Sequence, residues 1–91
     1  MTKAIGMIET FGLAYSLVVA DAMLKTADIQ VVTREDVSEV YYTIVIEGEV
    51  SAVQMAIDRG VEIALQGNAL MSYEVIARPM IDVRRIIPMK G

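Results

Sequence analysis

Two different periods alternate along this chain, and they divide it into six candidate elements. AIGMIETF, residues 4–11, alternates loosely between apolar and polar positions and stops at Gly12, which predicts a first strand. GLAYSLVVADAMLKTA, residues 12–27, has no alternation and holds four Ala and three Leu, so it is predicted helical. Its apolar residues cover more than one face: Leu13, Leu17, Ala20 and Leu24 lie on one, Val18, Ala22 and Met23 towards another. A helix apolar on two sides is expected to be buried on two sides, the second in so small a domain against a neighbouring chain. Asp21 and Lys25 stand at i,i+4 with the acid first, an order worth roughly 0.2–0.5 kcal/mol. IQVVTR (29–34) and YYTIVIEG (41–48) read as strands rich in β-formers. EVSAVQMAIDRGVEIALQG (49–67) is the clearest helix. Gln54, Asp58, Glu62 and Gln66 form its wet stripe, and Val53, Ile57, Val61, Ala64 and Leu65 its dry face. Gly67 and Asn68 supply the stop. LMSYEVIA (70–77) is a last strand, ended by Arg78-Pro79. IDVRRIIP (81–88) reads as a short helical turn closed by Pro88.

The predicted order is β-α-β-β-α-β, an α+β ferredoxin-like or split βαβ arrangement, with a short C-terminal helical extension and a single domain over residues 1–91. That fold hosts many activities and assigns none by itself. One stretch stands out against the apolar background. In REDVSEVYY, Arg34, Glu35, Asp36, Ser38 and Glu39 crowd together just before the third strand. They face either plain solvent, a substrate, or something built only when copies assemble.

Composition favours assembly. A chain of 91 residues buries only about 60–65% of the surface its unfolded form exposes and is normally marginal alone. There is no Cys for disulfides and no His for a transition metal. Yet 55% of the residues are hydrophobic and the mean hydropathy is +0.50, richer than an average domain. Charges or Gly interrupt every apolar run before the ~20 residues a membrane span needs. The segment MTKAIGMIETFG also lacks the continuous apolar core of a signal peptide. The expectation is a cytosolic domain whose surplus apolar surface is covered by partners. A net charge of −4 and a pI near 4.6 argue against nucleic acid, which needs a basic stripe.

Little of the sequence points to catalysis. Without Cys or His the usual nucleophile–base pairs are missing. Glu9, Glu47 and Glu49 fall at strand ends or a helix start, where acids are ordinary. Glu35, Asp36 and Glu39 lack the spacing and Gly of a calcium loop. GNALMSYEV follows a helix and precedes a strand, the reverse of a phosphate loop. The seven Met residues read as core filler. We therefore expect no enzyme activity, no catalytic residues, no metal and no cofactor.

Four pieces in order carry a resemblance: AIGMIETFG, ADAMLKTADI, IVIEGEVSAV and VIARPMIDV, with PMKG at the end. From Ala4 to Gly91 the chain resembles the bacterial microcompartment shell-protein domain, of the single-domain class that forms flat hexagonal tiles. The resemblance implies a homohexamer that packs edge to edge with other hexamers and companion shell proteins. It implies a central pore for small polar metabolites, and docking of targeting peptides from encapsulated enzymes. The implied place is the bacterial cytoplasm, in the microcompartment shell. Lys25 holds the position that meets its symmetry mate across the hexamer edge, and a Lys in the last turn of a helix also suits the helix dipole. Arg78 resembles the residue that reaches into the adjacent hexamer, a role its rigid fork of donors fits. Asp28 matches a nearby edge position and could pair with Arg78 or Lys25, or repel its own symmetry mate. Met80 stands where the family commonly has His.

The resemblance also bears on the polar loop, whose tip is Val37-Ser38-Glu39. In the family this loop points at the six-fold axis and lines the pore, commonly with Gly on either side of a small polar residue. Here Ser38 and Val40 flank Glu39. Six Glu39 carboxylates would make an acidic ring that favours neutral or cationic solutes over carboxylates and phosphates. The alternative reading of the whole chain is a ferredoxin-like regulatory oligomer that senses a small molecule.

Overall fold

The computed structural model describes residues 3–36 and 40–80, with backbone alone for 33–36. The predicted 81–88 turn and the loop tip Val37-Ser38-Glu39 lie outside the described residues. In chain order the elements are β1 (Ala4–Phe11), α1 (Leu13–Thr26), β2 (Gln30–Asp36), β3 (Tyr41–Gly48), α2 (Val50–Gln66) and β4 (Leu70–Ile76). The four strands form one sheet in the order β2-β3-β1-β4, every neighbouring pair antiparallel. β1 and β2 therefore run the same way with β3 between them, which is the split βαβ arrangement the element order predicts. The central pair sets the register, from Ile5 opposite Glu47 to Phe11 opposite Tyr41. Irregularities fall in the other two ladders, between Glu9 and Thr10 where β1 meets β4, and between Val31 and Thr33 where β2 meets β3.

Local chemistry accounts for the element ends. Gly12 adopts φ +91, a conformation only glycine takes without cost, and so turns β1 directly into α1. Its N–H donates to the Val40 carbonyl at 2.7 Å, and the Phe11 N–H donates to Ala69 at 2.7 Å. These bonds tie the β3 and β4 starts to the end of β1. α2 closes through Asn68, the one described non-glycine residue at positive φ. Beyond it the Ala69 N–H donates to the Ala64 carbonyl at 2.8 Å, capping the last turn.

Both helices lie on one face of the sheet, α1 over β1 and β3 and α2 over β1 and β4. Between helices and sheet sits the main core, including Ile8, Val19, Met23, Ile44, Ile46, Val53 and Ile57, all inaccessible to solvent. Two glycines permit its close approaches. An added Cβ at Gly6 would lie 2.8 Å from Ile57 and Val53 side chains, and one at Gly60 would lie 3.1 Å from the Met23 sulfur. The opposite sheet face carries a smaller cluster of Ile5, Val32 and Val45.

The sequence left open which apolar face of α1 meets its own core, and one position of α2 differs from expectation. The face of α1 turned to the core is Ser16, Val19 and Met23, not the leucine face. Leu13, Leu17 and Leu24 stay 46%, 52% and 51% exposed, and Val18 is exposed as well. The helix is apolar nearly all round, so the pattern alone could not rank its faces. On α2 the wet stripe is exposed and Val53, Ile57 and Ala64 are buried as expected, but Leu65 is 61% exposed. Ala56 and Gly60 complete the buried side instead. The sheet needs small residues beneath α2 more than it needs another leucine.

Candidate functional site

The antiparallel sheet has two ends about 27 Å apart, the length of eight extended residues. At one end stand the starts of β1 and β2 and the finishes of β3 and β4. Lys3, Asp28, Gly48 and Arg78 therefore all stand at this end. Two shallow grooves record this: one is lined by Lys3, Asp28, Gln30 and Glu47, the other by Lys3, Glu49, Val50 and Arg78, and both share Gly48. The last turn of α1, carrying Lys25, reaches the same end, because α1 runs back along β1. All three sequence-predicted edge residues thus collect at one end and are exposed. At the other end lie Phe11, Gly12, Val40 and Tyr41, where the Phe11 and Tyr41 rings meet edge to face at 5.9 Å. The β2–β3 junction that contains the predicted pore residues leaves the sheet at this second end.

Within their shared end, the three edge residues are not equivalent. Asp28 precedes β2 and Arg78 follows β4, and these are the two outer strands of the sheet. Three strand spacings, about 14 Å, separate them. An Asp28–Arg78 pair inside one chain is therefore out of reach. Asp28 does not pair with Lys25 either, because the Lys25 ammonium sits 2.8 Å from the Asp21 carboxylate. That hydrogen bond, and then the charge of Asp21, raises Lys25 above the ordinary lysine value. Among the described residues neither Asp28 nor Arg78 has a hydrogen-bond or ion-pair partner.

Apolar surface is concentrated on the two sides of the sheet. Tyr15 lies against Gly67 of α2, and Val19 and Met23 against Gly60, so they mark the side of α1 that faces α2. Leu13, Leu17 and Leu24 sit roughly 120° around the helix from there. They form a stripe on the outer flank, above the β2 edge, where Val31 is also exposed. On the opposite flank Leu65 lies roughly 140° around α2 from Gly60. With it Met71, Tyr73 and Ile76 of the β4 edge strand are exposed. The two flanks are different surfaces, and each ends in an unpaired strand edge.

The carboxylates considered for catalysis are apart. Glu9 accepts a hydrogen bond from the Thr43 hydroxyl at 3.3 Å, whereas Glu47 is buried and lies 3.8 Å from the Lys3 ammonium. Glu47 faces Ile5 across the ladder, four residues along β1 from Glu9, which separates the two acids by about 14 Å. They cannot share a proton. Glu49 is exposed at the start of α2. The Glu35, Asp36 and Glu39 side chains lie outside the described residues. Among the described residues no three His, Cys, Asp or Glu side chains gather around a common point.

Sequence reasoning missed Lys3, which joins the two grooves, and the exposed set on β4. Lys3 was legible only as a charge preceding a strand, and Tyr73 and Met71 read as ordinary strand residues. Their exposure depends on β4 being an outer strand, a fact of topology and not of local pattern.

Residues 4–79 match the BMC domain. The bacterial microcompartment shell protein PduA of Salmonella typhimurium is 37% identical over 86 residues, which cover 94% of this chain and 92% of that protein. The carboxysome shell protein CsoS1A of Hydrogenovibrio crunogenus is 39% identical over 88 residues, covering 96% and 92%. Among solved structures, a microcompartments protein from Desulfitobacterium hafniense DCB superposes with a TM-score of 0.78 at 27% identity. The match covers 86% of this chain and spans 42% of that longer one. In sequence and in fold, this chain belongs to the BMC domain family of bacterial microcompartment shell proteins.

Proposed function

We propose that six copies of this chain close into a ring, and that the rings tile edge to edge as part of a microcompartment shell in the bacterial cytoplasm. The chain performs no chemistry of its own; its work is to form the wall and a central opening for small polar metabolites. One observation carries this reading: the sheet sends its charged edge residues Lys25, Asp28 and Arg78 to one end and its β2–β3 junction to the other. A ring with the junctions inward and the charged ends outward uses both. The two apolar flanks then become the contacts between subunits. Because they are unlike surfaces, flank packs on opposite flank in the head-to-tail manner that closes rings. Lys25, its side chain 75% exposed, lies at the rim where rings meet in this arrangement. Companion shell proteins of the same fold fit the same edges, and targeting peptides of encapsulated enzymes dock on the shell's surface.

Mass measured under native conditions tests the ring, and negative-stain images of concentrated protein test the tiling. The expected result is a six-copy particle that grows into sheets or tubes. Lys25→Asp leaves the six-copy particle intact and abolishes the sheets. Sheets that persist in this variant remove Lys25 from the edge. A dimer or tetramer with no lattice favours the regulatory-oligomer reading instead.

A further inference from the structure

Asp21 and Lys25 stand one turn apart on the C-terminal half of α1, with the Lys25 Nζ 2.8 Å from the Asp21 Oδ2 and both side chains exposed. We infer that Asp21 is the residue that lets Lys25 serve at the edge between rings: its carboxylate offsets the charge of its own Lys25 and accepts a second hydrogen bond from the Lys25 of the facing ring. The inference rests on the tiling proposed above and deepens it by naming a positioning residue for that edge.

Symmetry makes the charge of Lys25 an obstacle. Identical rings that tile a flat sheet meet across two-fold axes, and a two-fold contact sets the same patch of both partners face to face. A rim cation near such an axis confronts its own copy, and like charges so placed oppose association. The counter-charge stands four residues earlier on the same helix, about 6 Å back from the rim. Within one chain an exposed i,i+4 pair adds little, so the fold itself does not depend on it. Across the edge its effect is larger, because two such pairs set face to face carry no net charge. The donor and acceptor inventory fits this arrangement. A carboxylate accepts at both oxygens, and Oδ2 serves the Lys25 of its own chain, so Oδ1 can serve the Lys25 of the facing ring. An ammonium on a flexible stem has three donors, enough for both carboxylates. Thr26 does not compete for Asp21, because its hydroxyl donates to the Ala22 carbonyl at 2.6 Å. Asp21 also keeps Lys25 in its charged form, since their hydrogen bond and then the carboxylate charge raise the lysine above its ordinary value.

The test uses the full chain and measures the protein concentration at which sheets first form, by sedimentation and negative-stain imaging, at low and at high salt. Native mass and helical circular dichroism are followed in parallel. Wild-type protein comes first: if it forms no ring or no sheet, the tiling reading itself fails. Given sheets, Asp21→Asn keeps the shape of the side chain and removes its charge. It is expected to leave ring and helix unchanged and to raise the threshold for sheets about tenfold or more at low salt. Near 1 M salt, where the Debye length falls to about 3 Å, the ratio of variant to wild-type threshold is expected to shrink to within about threefold. That rescue is the signature of like charges left facing each other, and a purely structural loss would not show it. Asp21→Glu restores the carboxylate and is expected to recover most of the tiling at low salt. An unchanged threshold in Asp21→Asn overturns the inference while the tiling stands. So does a loss of sheets that salt does not relieve, because Asp21 would then act through something other than the charge of Lys25. Rings that fall apart in Asp21→Asn would overturn it as well, by moving Asp21 to the seam between subunits.

Discussion

At Gly6 the sheet and α2 approach so closely that a methyl group has no room. An added Cβ would lie 2.8 Å from both Val53 and Ile57 side chains, inside their ordinary contact distance. Both neighbours are fully buried and cannot swing into solvent. Gly6→Ala is therefore expected to destabilise the fold by about 1–3 kcal/mol through overpacking, even though alanine suits a strand as well as glycine does. Denaturant unfolding at a fixed protein concentration measures this, and an unchanged midpoint would mean that α2 is free to lift from the sheet. Nothing in AIGMIETF announces the constraint. A glycine in a strand pattern reads as a bulge or a close approach, and only the position of α2 decides which. By contrast, Gly12 was legible as a break because a turn between strand and helix needs it within the local chain.

On the scale of elements, α2 and α1 show why one helix can be read from its sequence and another cannot. Gln54, Asp58, Glu62 and Gln66 mark a wet stripe that fixes which side of α2 is buried. α1 has no such stripe, and the side it turns to the core holds Ser16, a polar residue that pattern reading assigns elsewhere. The leucine stripe was correctly grouped on one face but belongs to the outside of the single chain. That mismatch has a physical meaning: the most apolar side of α1 is reserved for something other than its own sheet. In the proposed ring this is the adjacent subunit. Leu17→Asp should then convert rings to monomers at micromolar concentration while leaving the helical circular dichroism unchanged, since the side chain is already 52% exposed in the lone chain. The pair of measurements matters. Loss of helix together with loss of the ring would show that Leu17 holds α1 to its own chain, and unchanged rings would remove this flank from the seam.

Across the whole molecule, six elements and their order were legible because composition, length and Gly or Pro punctuation separate them, and the split βαβ class followed from that order. The ends and flanks were not, because they depend on which strands lie outermost. The stretch REDVSEVYY was legible as polar, and the placement of the β2–β3 junction at the end opposite Lys25, Asp28 and Arg78 comes only from the antiparallel sheet. With the junctions inward, as proposed, every subunit contributes one Glu39 to the neighbourhood of the axis. Six carboxylates in a narrow opening raise the cost of an anion there and lower it for a cation. Crystals of the ring soaked in sulfate near neutral pH are accordingly expected to show no ordered anion on the six-fold axis. Glu39→Gln keeps the size and hydrogen-bonding capacity of the side chain but removes six charges, and sulfate is expected to order on the axis of that variant under the same conditions. Sulfate on the wild-type axis would mean that the Glu39 carboxylates turn away from the opening and that the backbone at Val37 and Ser38 governs passage. The same crystals separate charge from width, because a constriction too narrow for sulfate would exclude it from both proteins, and then selection by size would replace selection by charge.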